Sequence, residues 1–186
     1  MNDILKGELV RLSAVDPEEL GKAYAAWNRD SEFKRLLDSD AARLYSAKGG
    51  RDFFQKEVEK DSPAHHFFSI RALEDDRLLG DINLDVTNWG GRDSFVGLGI
   101  GDRGDWNNGY GTDAMRTILC FAFTEINLRR VTLVVLGYNL RAMRSYEKAG
   151  FQHEGRLRGA VLREGKRWDV LYMGILCEEW MERNHD

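Results

Sequence analysis

Apolar and polar positions along the chain follow two spacings, which divide its first half into helical and extended segments. Helical spacing of apolar residues begins after Asp16-Pro17 and again at Ser31, and a third helix is predicted from Gly50 to about Lys60. Alternation with a period of two predicts strands over residues 9–12, 67–72, 79–86 and 95–100.

The second half of the chain alternates between helices and strands. An amphipathic helix is predicted from Asp113 to Asn127, and a shorter one runs from a cap at Asn139 to Gly150. Predicted strands cover residues 131–136, 151–162 and 168–176, and a turn at residues 163–166 joins the last two. These elements predict a single domain over residues 1–186, of the α+β or mixed α/β class, with helices on both faces of a mixed sheet.

Composition narrows the function classes. The 186 residues are 42% hydrophobic and 31% charged, and 27 basic against 31 acidic residues give a net charge of −4, which argues against a DNA-binding protein. No apolar run approaches the roughly 20 residues that span a bilayer, and the N-terminus shows no signal-peptide pattern, so we expect a cytoplasmic location and no membrane partner. The two cysteines lie far apart and the four histidines are scattered, which predicts neither a disulfide nor a metal site.

The stretch from Trp106 to Thr112, called the phosphate loop below, stands between a glycine-spaced strand and the start of a predicted helix. Its glycines, Gly109 and Gly111, allow the backbone to approach an anion closely. The free amides of the first helical turn point towards such an anion, and the helix dipole favours its negative charge. The pattern therefore predicts a site for the pyrophosphate of a nucleotide-bearing cofactor.

A dinucleotide is one candidate for that cofactor. The residues from Gly109 to Ala114 fit the pattern G-x-G-x-x-G/A, which is a weak signal taken alone. Two features argue against it: a polar loop over residues 102–108 separates the strand from the glycines, and the next strand ends without an Asp or Glu for the ribose. A P-loop is excluded because no Gly-Lys-Ser/Thr follows the glycines.

Several motifs in a fixed order make the interpretation more specific. They are the run from Gly101-Asp102 to Thr112-Asp113-Ala114, then residues 139–142, then Tyr146 to Phe151, then residues 154–158. Together they resemble the GNAT N-acetyltransferase superfamily, and in particular its RimJ/RimL-type branch. The resemblance is strongest over residues 95–176.

The resemblance implies a GNAT fold, in which helices cover both faces of a mostly antiparallel, twisted sheet of about seven strands. It implies acetyl-CoA as co-substrate, no metal, and direct attack on the thioester by a primary amine. The acceptor would be a protein N-terminus, a polyamine or a small-molecule amine, and the resemblance allows a homodimer. Two alternatives stay open, which are a non-catalytic module that binds acyl-CoA and a dinucleotide-dependent oxidoreductase.

The same resemblance assigns the cofactor-binding residues. The pantetheine arm would lie along Leu98, Gly99, Ile100 and Gly101, and the pyrophosphate would bind Trp106, Asn107, Asn108, Gly109, Tyr110, Gly111 and Thr112. The predicted helix from Asn139 to Gly150 would contribute Asn139, Ala142, Arg144 and Lys148. Asn139 can equally be a plain helix cap, and the cations can equally form a solvated basic face. At Asn107-Asn108 the chain departs from the family, where Gly followed by Lys or Arg is common.

Tyr146 resembles the family tyrosine that protonates the departing CoA thiolate, and its ordinary pKa near 10 suits that transfer. The general base is missing, because Phe95 stands where many relatives carry Glu. Asp81, Asp85 and Asp93 are the nearest substitutes, and we interpret each as a carboxylate that faces solvent. Neither cysteine has the surroundings of a nucleophile, which disfavours an acyl-enzyme.

Overall fold

The computed structural model describes residues 3–60 and 62–184 of the chain. Its strands are β1 (Val10–Ser13), β2 (His65–Ala72), β3 (Leu78–Asn88), β4 (Asp93–Ile100), β5 (Arg130–Leu136), β6 (Gln152–Arg163) and β7 (Lys166–Leu176). Its α-helices are α1 (Pro17–Trp27), α2 (Ser31–Leu37), α3 (Ala47–Val58), α4 (Tyr110–Cys120), α5 (Leu140–Ala149) and α6 (Cys177–Asn184). None of the helices in this part of the chain has the length and apolar character needed to cross a membrane.

The strands form one seven-stranded sheet in the order β1-β2-β3-β4-β5-β7-β6. The pair β4–β5 is parallel, and the other neighbouring pairs are antiparallel. This arrangement confirms the predicted α+β class and the mostly antiparallel sheet.

The parallel pairing between β4 and β5 is short, and this determines where the sheet opens. β4 and β5 are in register only where Asp93–Phe95 meets Arg130–Thr132, although β4 continues to Ile100 and β5 to Leu136. The two strands therefore diverge towards their carboxyl ends and open a cleft in the middle of the sheet. The sequence alone did not predict this divergence.

Local capping explains where the helices begin and end. Asp16 accepts from the amides of Glu18 and Glu19 at the start of α1, as the sequence predicted. Ser46 caps α3 in the same way, so α3 begins three residues before the predicted Gly50. Gly150 ends α5 with a φ of 110°, a left-handed conformation that glycine adopts readily. Helix α6 was not predicted.

The two faces of the sheet are covered by different helices. On one face, Ile82 and Leu84 of β3 are fully buried in a cluster with Met115 and Ile118 of α4. On the other face, which α1, α2 and α3 cover, Phe54 stacks on Phe67 of β2 with 5.9 Å between ring centroids. The predicted alternation along β3 is thus confirmed, and its polar side chains lie on the face beneath these three helices.

A buried carboxylate connects β1 to α4. Asp113, which is 6% exposed, accepts hydrogen bonds from the amides of Glu8, Leu9 and Val10 at 3.1, 2.8 and 2.9 Å. These three bonds fix the amino end of β1 against the first turn of α4. They also hold the helix that begins directly after the phosphate loop.

Candidate active site

The divergence of β4 and β5 opens a cavity of about 590 Å³. Its walls come from the carboxyl ends of both strands, from the phosphate loop, from the first turn of α4 and from α5. The end of α2 closes one side. The predicted cofactor-binding segments thus meet at one place, although they are distant in sequence.

Most of the predicted site residues line this cavity. They are Leu98, Gly99, Ile100, Trp106, Asn107, Gly109, Tyr110, Gly111, Thr112, Asn139, Ala142, Arg144, Tyr146 and Lys148. Gly101 and Asn108 do not line it. Any side chain at Gly101 would overlap the ring of Trp27. Asn108 is exposed, and its side-chain Nδ2 donates to the carbonyl of Gly104 at 3.1 Å.

The start of α4 presents free amides to the cavity. Its N-cap is Gly109, with a φ of 88°, and within the described residues no side chain caps this end of the helix. The left-handed backbone at Gly109 turns the chain sharply into the helix. An uncapped first turn that faces a cavity can bind an anion through its amides and its dipole.

Trp106 places a cation beside these amides. Its indole N–H donates to the carbonyl of Ile100 at 2.9 Å, which fixes the ring. The guanidinium of Arg141 lies 3.6 Å from the ring centroid, in a cation–π contact. Burial lowers the pKa of Arg141 from its ordinary value. The carboxylates of Asp30 and Glu32 form their ion pairs with Arg103, at 2.7 and 2.5 Å. Arg141 therefore supplies positive charge to the cavity, as one of the three cations that the sequence places along this helix with Arg144 and Lys148.

Asn139 uses both of its side-chain polar atoms within the protein. Its oxygen accepts from the amide of Ala142 at 3.1 Å, and its nitrogen donates to the carbonyl of Leu36 at 3.2 Å. Asn139 thus caps α5 and connects it to α2. Beside it, the Tyr138 hydroxyl donates to the carbonyl of Arg35 at 2.7 Å. The helix-cap interpretation of Asn139 is confirmed by these contacts.

Tyr146 lies on the cavity wall formed by α5. It is 8% exposed and packs on Phe151 with 6.1 Å between ring centroids. Burial raises the pKa of Tyr146 to about 12, and the nearby Arg141 opposes this rise. No hydrogen bond engages its hydroxyl within residues 3–60 and 62–184, so the O–H is available to a ligand in the cavity.

Comparison with known proteins decides the family. The model of the acetyltransferase (GNAT) domain matches residues 10–152. The chain belongs to the GNAT family. The probable N-acetyltransferase YjcK of Bacillus subtilis is 32% identical over 180 residues, which cover 93% of this chain and 97% of the relative.

Two further similarities concern a second relative and a solved structure. The putative ribosomal N-acetyltransferase YdaF of Bacillus subtilis is 30% identical over 108 residues, 58% of each chain. A solved structure of spermidine N-acetyltransferase from Vibrio cholerae, in complex with CoA and spermine, superposes with a TM-score of 0.78 at 22% identity. That alignment covers 92% of this chain and 98% of the other, and it shows a shared fold.

Family membership settles the enzyme class. This GNAT protein is an acyl-CoA-dependent N-acetyltransferase. The oxidoreductase and the non-catalytic module are therefore set aside. The sheet also differs from a dinucleotide-binding fold, since among the described strands only the β4–β5 pair is parallel.

The carboxylates that could serve this acetyltransferase as a base differ in their surroundings. Asp93 pairs with Arg129 at 3.0 Å. Asp81 accepts a hydrogen bond of 2.6 Å from the Tyr24 hydroxyl, and burial raises the pKa of Asp81 to about 6. Our interpretation of Asp81 as a solvent-facing carboxylate was wrong, because α1 covers this part of β3.

The sequence also missed the wall that α2 provides. Phe33, Leu36 and Leu37 line the cavity, together with Asp38 and Ser39 directly after the helix. The helical spacing of the three apolar residues was the available signal, but it indicates only a buried face. It does not indicate which cavity that face covers.

Proposed function

We propose that this enzyme acetylates a primary amine by direct attack of the amine on the thioester of acetyl-CoA. The observation that carries the proposal is the cavity itself, which joins the uncapped start of α4, the diverging end of β4 and the Tyr146 hydroxyl. No cysteine is present among the described residues that line it, which supports direct attack over an acyl-enzyme.

The cofactor side of the cavity suits an elongated molecule with phosphates at one end. Beyond Phe95 the backbone of β4 is no longer in register with β5, so the edge over residues 98–100 can pair with the amide groups of a pantetheine arm. At the far end, the amides of the phosphate loop and the guanidinium of Arg141 favour the pyrophosphate.

The acidic residues on the acceptor side of the cavity favour a cationic amine as the acceptor. Asp38 lines the cavity, and Asp81 lies on the face of β3 beneath the first three helices, where it pairs with Gly99 of the cavity wall. The spermidine acetyltransferase with the same fold acts on such an amine, which supports a polyamine acceptor. A protein N-terminus is the second candidate, and it is supported by the relative named as a putative ribosomal N-acetyltransferase and by the resemblance to the RimJ/RimL-type branch.

The proposal is tested by ligand binding and turnover. Acetyl-CoA should raise Tm, while NAD and NADP should not, because binding to the native state stabilises it by mass action. Thiol release should then depend on an added amine, with spermine, a peptide with a free N-terminus and a primary alkylamine as probes. Binding of acetyl-CoA without amine-dependent release of thiol from any probe would contradict the proposal.

Arg144 and Lys148 give a sharper test of how the cofactor lies. If they contact the 3′-phosphate of CoA, alanine at both positions should raise the KM for acetyl-CoA roughly tenfold, as expected for the loss of about 1.4 kcal/mol of binding energy. The KM for acetyl-3′-dephospho-CoA should not change. Lys56→Ala, an exposed change on α3, is the matched control. An equal rise with both cofactors would contradict the contact and favour a general electrostatic effect.

A further inference from the structure

Two glycines of β4 lie opposite polar side chains of β3. In the register of the sheet, Gly97 pairs with Asn83 and Gly99 pairs with Asp81. A Cβ atom on Gly97 would lie 2.6 Å from the Asn83 side-chain oxygen. A Cβ atom on Gly99 would lie 3.5 Å from the Tyr24 hydroxyl and 3.8 Å from Asp81 Oδ1. The same Cβ atom would lie 3.2 Å from Leu37 Cδ1, which also lines the cavity. The Tyr24–Asp81 pair thus lies directly behind Gly99 and Leu37 of the cavity wall.

Only one oxygen of Asp81 is engaged. Oδ1 accepts the Tyr24 hydrogen bond, whereas Oδ2 makes none within the described ranges and is not among their enclosed, unpartnered atoms. Asp85, four residues further along β3 and on the same face, has no such free oxygen. Its Oδ1 lies 2.5 Å from His65 Nδ1, and its Oδ2 accepts from the side-chain Nδ2 of Asn83 at 2.5 Å. Asp93 is paired to Arg129 through Oδ1 and stands at the start of β4, whereas the cavity is lined by residues 98–100 at the other end of that strand. Asp81, which pairs with Gly99, is therefore the carboxylate of the three that combines a free oxygen with a place beside the cavity wall.

A row of hydroxyl groups leads away from Asp81. Ser13 of β1 pairs with Ser69 of β2, and Ser69 pairs with Asp81, so that the three side chains share one face of the sheet. The Oγ atoms of both serines are enclosed and have no hydrogen-bond partner in the part of the chain that the structure describes. Ser69 is only 1% exposed. Enclosed hydroxyls of this kind are usually satisfied by bound water, which can carry a proton from Asp81 towards β1 at the edge of the sheet.

We propose that Asp81 is the general base that removes a proton from the acceptor ammonium, while the Tyr24 hydroxyl holds its carboxylate in place. This inference rests on the proposed function. The N–H bond of the ammonium breaks and an O–H bond forms at Asp81. The neutral nitrogen then forms a C–N bond to the thioester carbon, and the C–S bond breaks. The Tyr146 hydroxyl donates its proton to the departing thiolate and regains one from the second N–H of the amine. Asp81 returns its proton to solvent along the hydroxyl row.

The charges around Asp81 set the pH at which it can act. Burial is the main cause that raises its pKa to about 6, and the hydrogen bond from Tyr24 opposes the rise. The negative charge of Asp38, which directly follows α2, raises the pKa of Tyr24. The residues paired with Asp81 on the neighbouring strands β2 and β4 are the neutral Ser69 and Gly99. A base must be ionised, so kcat/KM for the acceptor should rise with pH through about 6.

Asp81→Asn is the test, measured with the probe amine that gives the highest wild-type rate. At pH 7 we expect kcat/KM for the amine to fall roughly a hundredfold, with the KM for acetyl-CoA unchanged. The deficit should shrink as pH approaches the pKa of the amine, about 8 for an α-amine and about 10 for an alkylamine, because the amine then loses its proton without help. The matched control, Asp85→Asn, should change the rate less than about threefold, since its removal leaves the base in place.

Stability separates loss of the base from loss of the fold. The native pKa of Asp81 lies above its unfolded value, so native Asp81 binds more protons between the two values and stability falls as pH rises through this interval. Asn cannot ionise, and Asp81→Asn should therefore keep or raise Tm at pH 7. Tyr24→Phe is the second variant. Loss of its hydrogen bond should move the acidic limb of kcat/KM to higher pH.

Three outcomes would contradict the inference. They are an unchanged rate in Asp81→Asn, a deficit that stays constant from pH 6 to 10, and an acidic limb in Tyr24→Phe at the wild-type position. In all three, an active wild type leaves the proposed function standing. If the wild type releases no thiol with any amine, the proposed function fails and this inference fails with it.

Discussion

Replacement of Tyr146 by phenylalanine should lower kcat at least about tenfold and leave the binding of acetyl-CoA unchanged. The substitution keeps the buried ring that packs on Phe151 and removes only the hydroxyl. That hydroxyl has no partner among the described residues, so its loss leaves no other protein group unsatisfied. The effect should therefore fall on the step in which the thiolate departs.

The pKa of Tyr146 defines what the hydroxyl can do. At about 12 the phenol is fully protonated at any ordinary assay pH, so it is always a donor. A thiol has a pKa of about 8.5, so complete transfer to a free thiolate would be uphill by roughly 5 kcal/mol. We therefore expect Tyr146 to donate its proton while the C–S bond is breaking and the sulfur is gaining negative charge. The positive charge of Arg141 lowers the pKa of Tyr146 and so favours this donation. Tyr146 should contribute no limb to the pH profile below about pH 10.

The measurement is steady-state kinetics of thiol release at saturating amine, together with Kd for CoA by titration. Tyr172→Phe is the matched control, because Tyr172 is an exposed tyrosine of β7 outside the residues that line the cavity. Its kcat should stay within about twofold of the wild type. An unchanged kcat in Tyr146→Phe would remove the tyrosine from the chemistry.

The elements next to the cofactor could be predicted because their signals are local. The helical stripe after residue 113, the cap at Asn139 and the glycine after α5 each lie within a few residues of the structure that they determine. The phosphate loop depends on glycines within one turn, and its position before a helix was visible in the chain. These short-range patterns were enough to identify most of the cofactor-side residues, which the fold brings together in one cavity.

The acceptor side could not be predicted in the same way. Tyr24 and Asp81 are 57 residues apart, and their hydrogen bond exists only because α1 lies across β3. In the sequence, Asp81 belongs to an alternating polar face, which normally faces solvent. The divergence of β4 from β5 is also a long-range property, since neither strand carries a local signal for where its pairing ends. Sequence periodicity gives the face on which a side chain lies, but not what covers that face.

The role of Asp113 also depends on long-range contacts and was therefore not predicted. Removal of its carboxylate should produce the largest loss of stability among the variants proposed above. In the sequence it is an acidic residue in the first turn of a helix, where the dipole already explains it. In the structure its carboxylate accepts three backbone amides from residues 8–10. Asp113→Ala should cost about 4 kcal/mol, since three amides lose a charged acceptor in a buried place. For a chain of this size that lowers Tm by roughly 8–16 °C.

Thermal and urea unfolding give the measurement, and Asp113→Asn and Glu125→Ala give the controls. Asn retains one acceptor oxygen and should lose about half as much stability, whereas the exposed Glu125 should change it by less than about 0.5 kcal/mol. The loss should extend to the cofactor site, because a Cβ atom on Gly109 would lie 3.1 Å from Leu9 Cδ1 and β1 thus packs beside the phosphate loop. The KM for acetyl-CoA should therefore rise in Asp113→Ala even below its Tm. A variant with the wild-type Tm would show that the amides of residues 8–10 find other acceptors, and that β1 does not depend on α4.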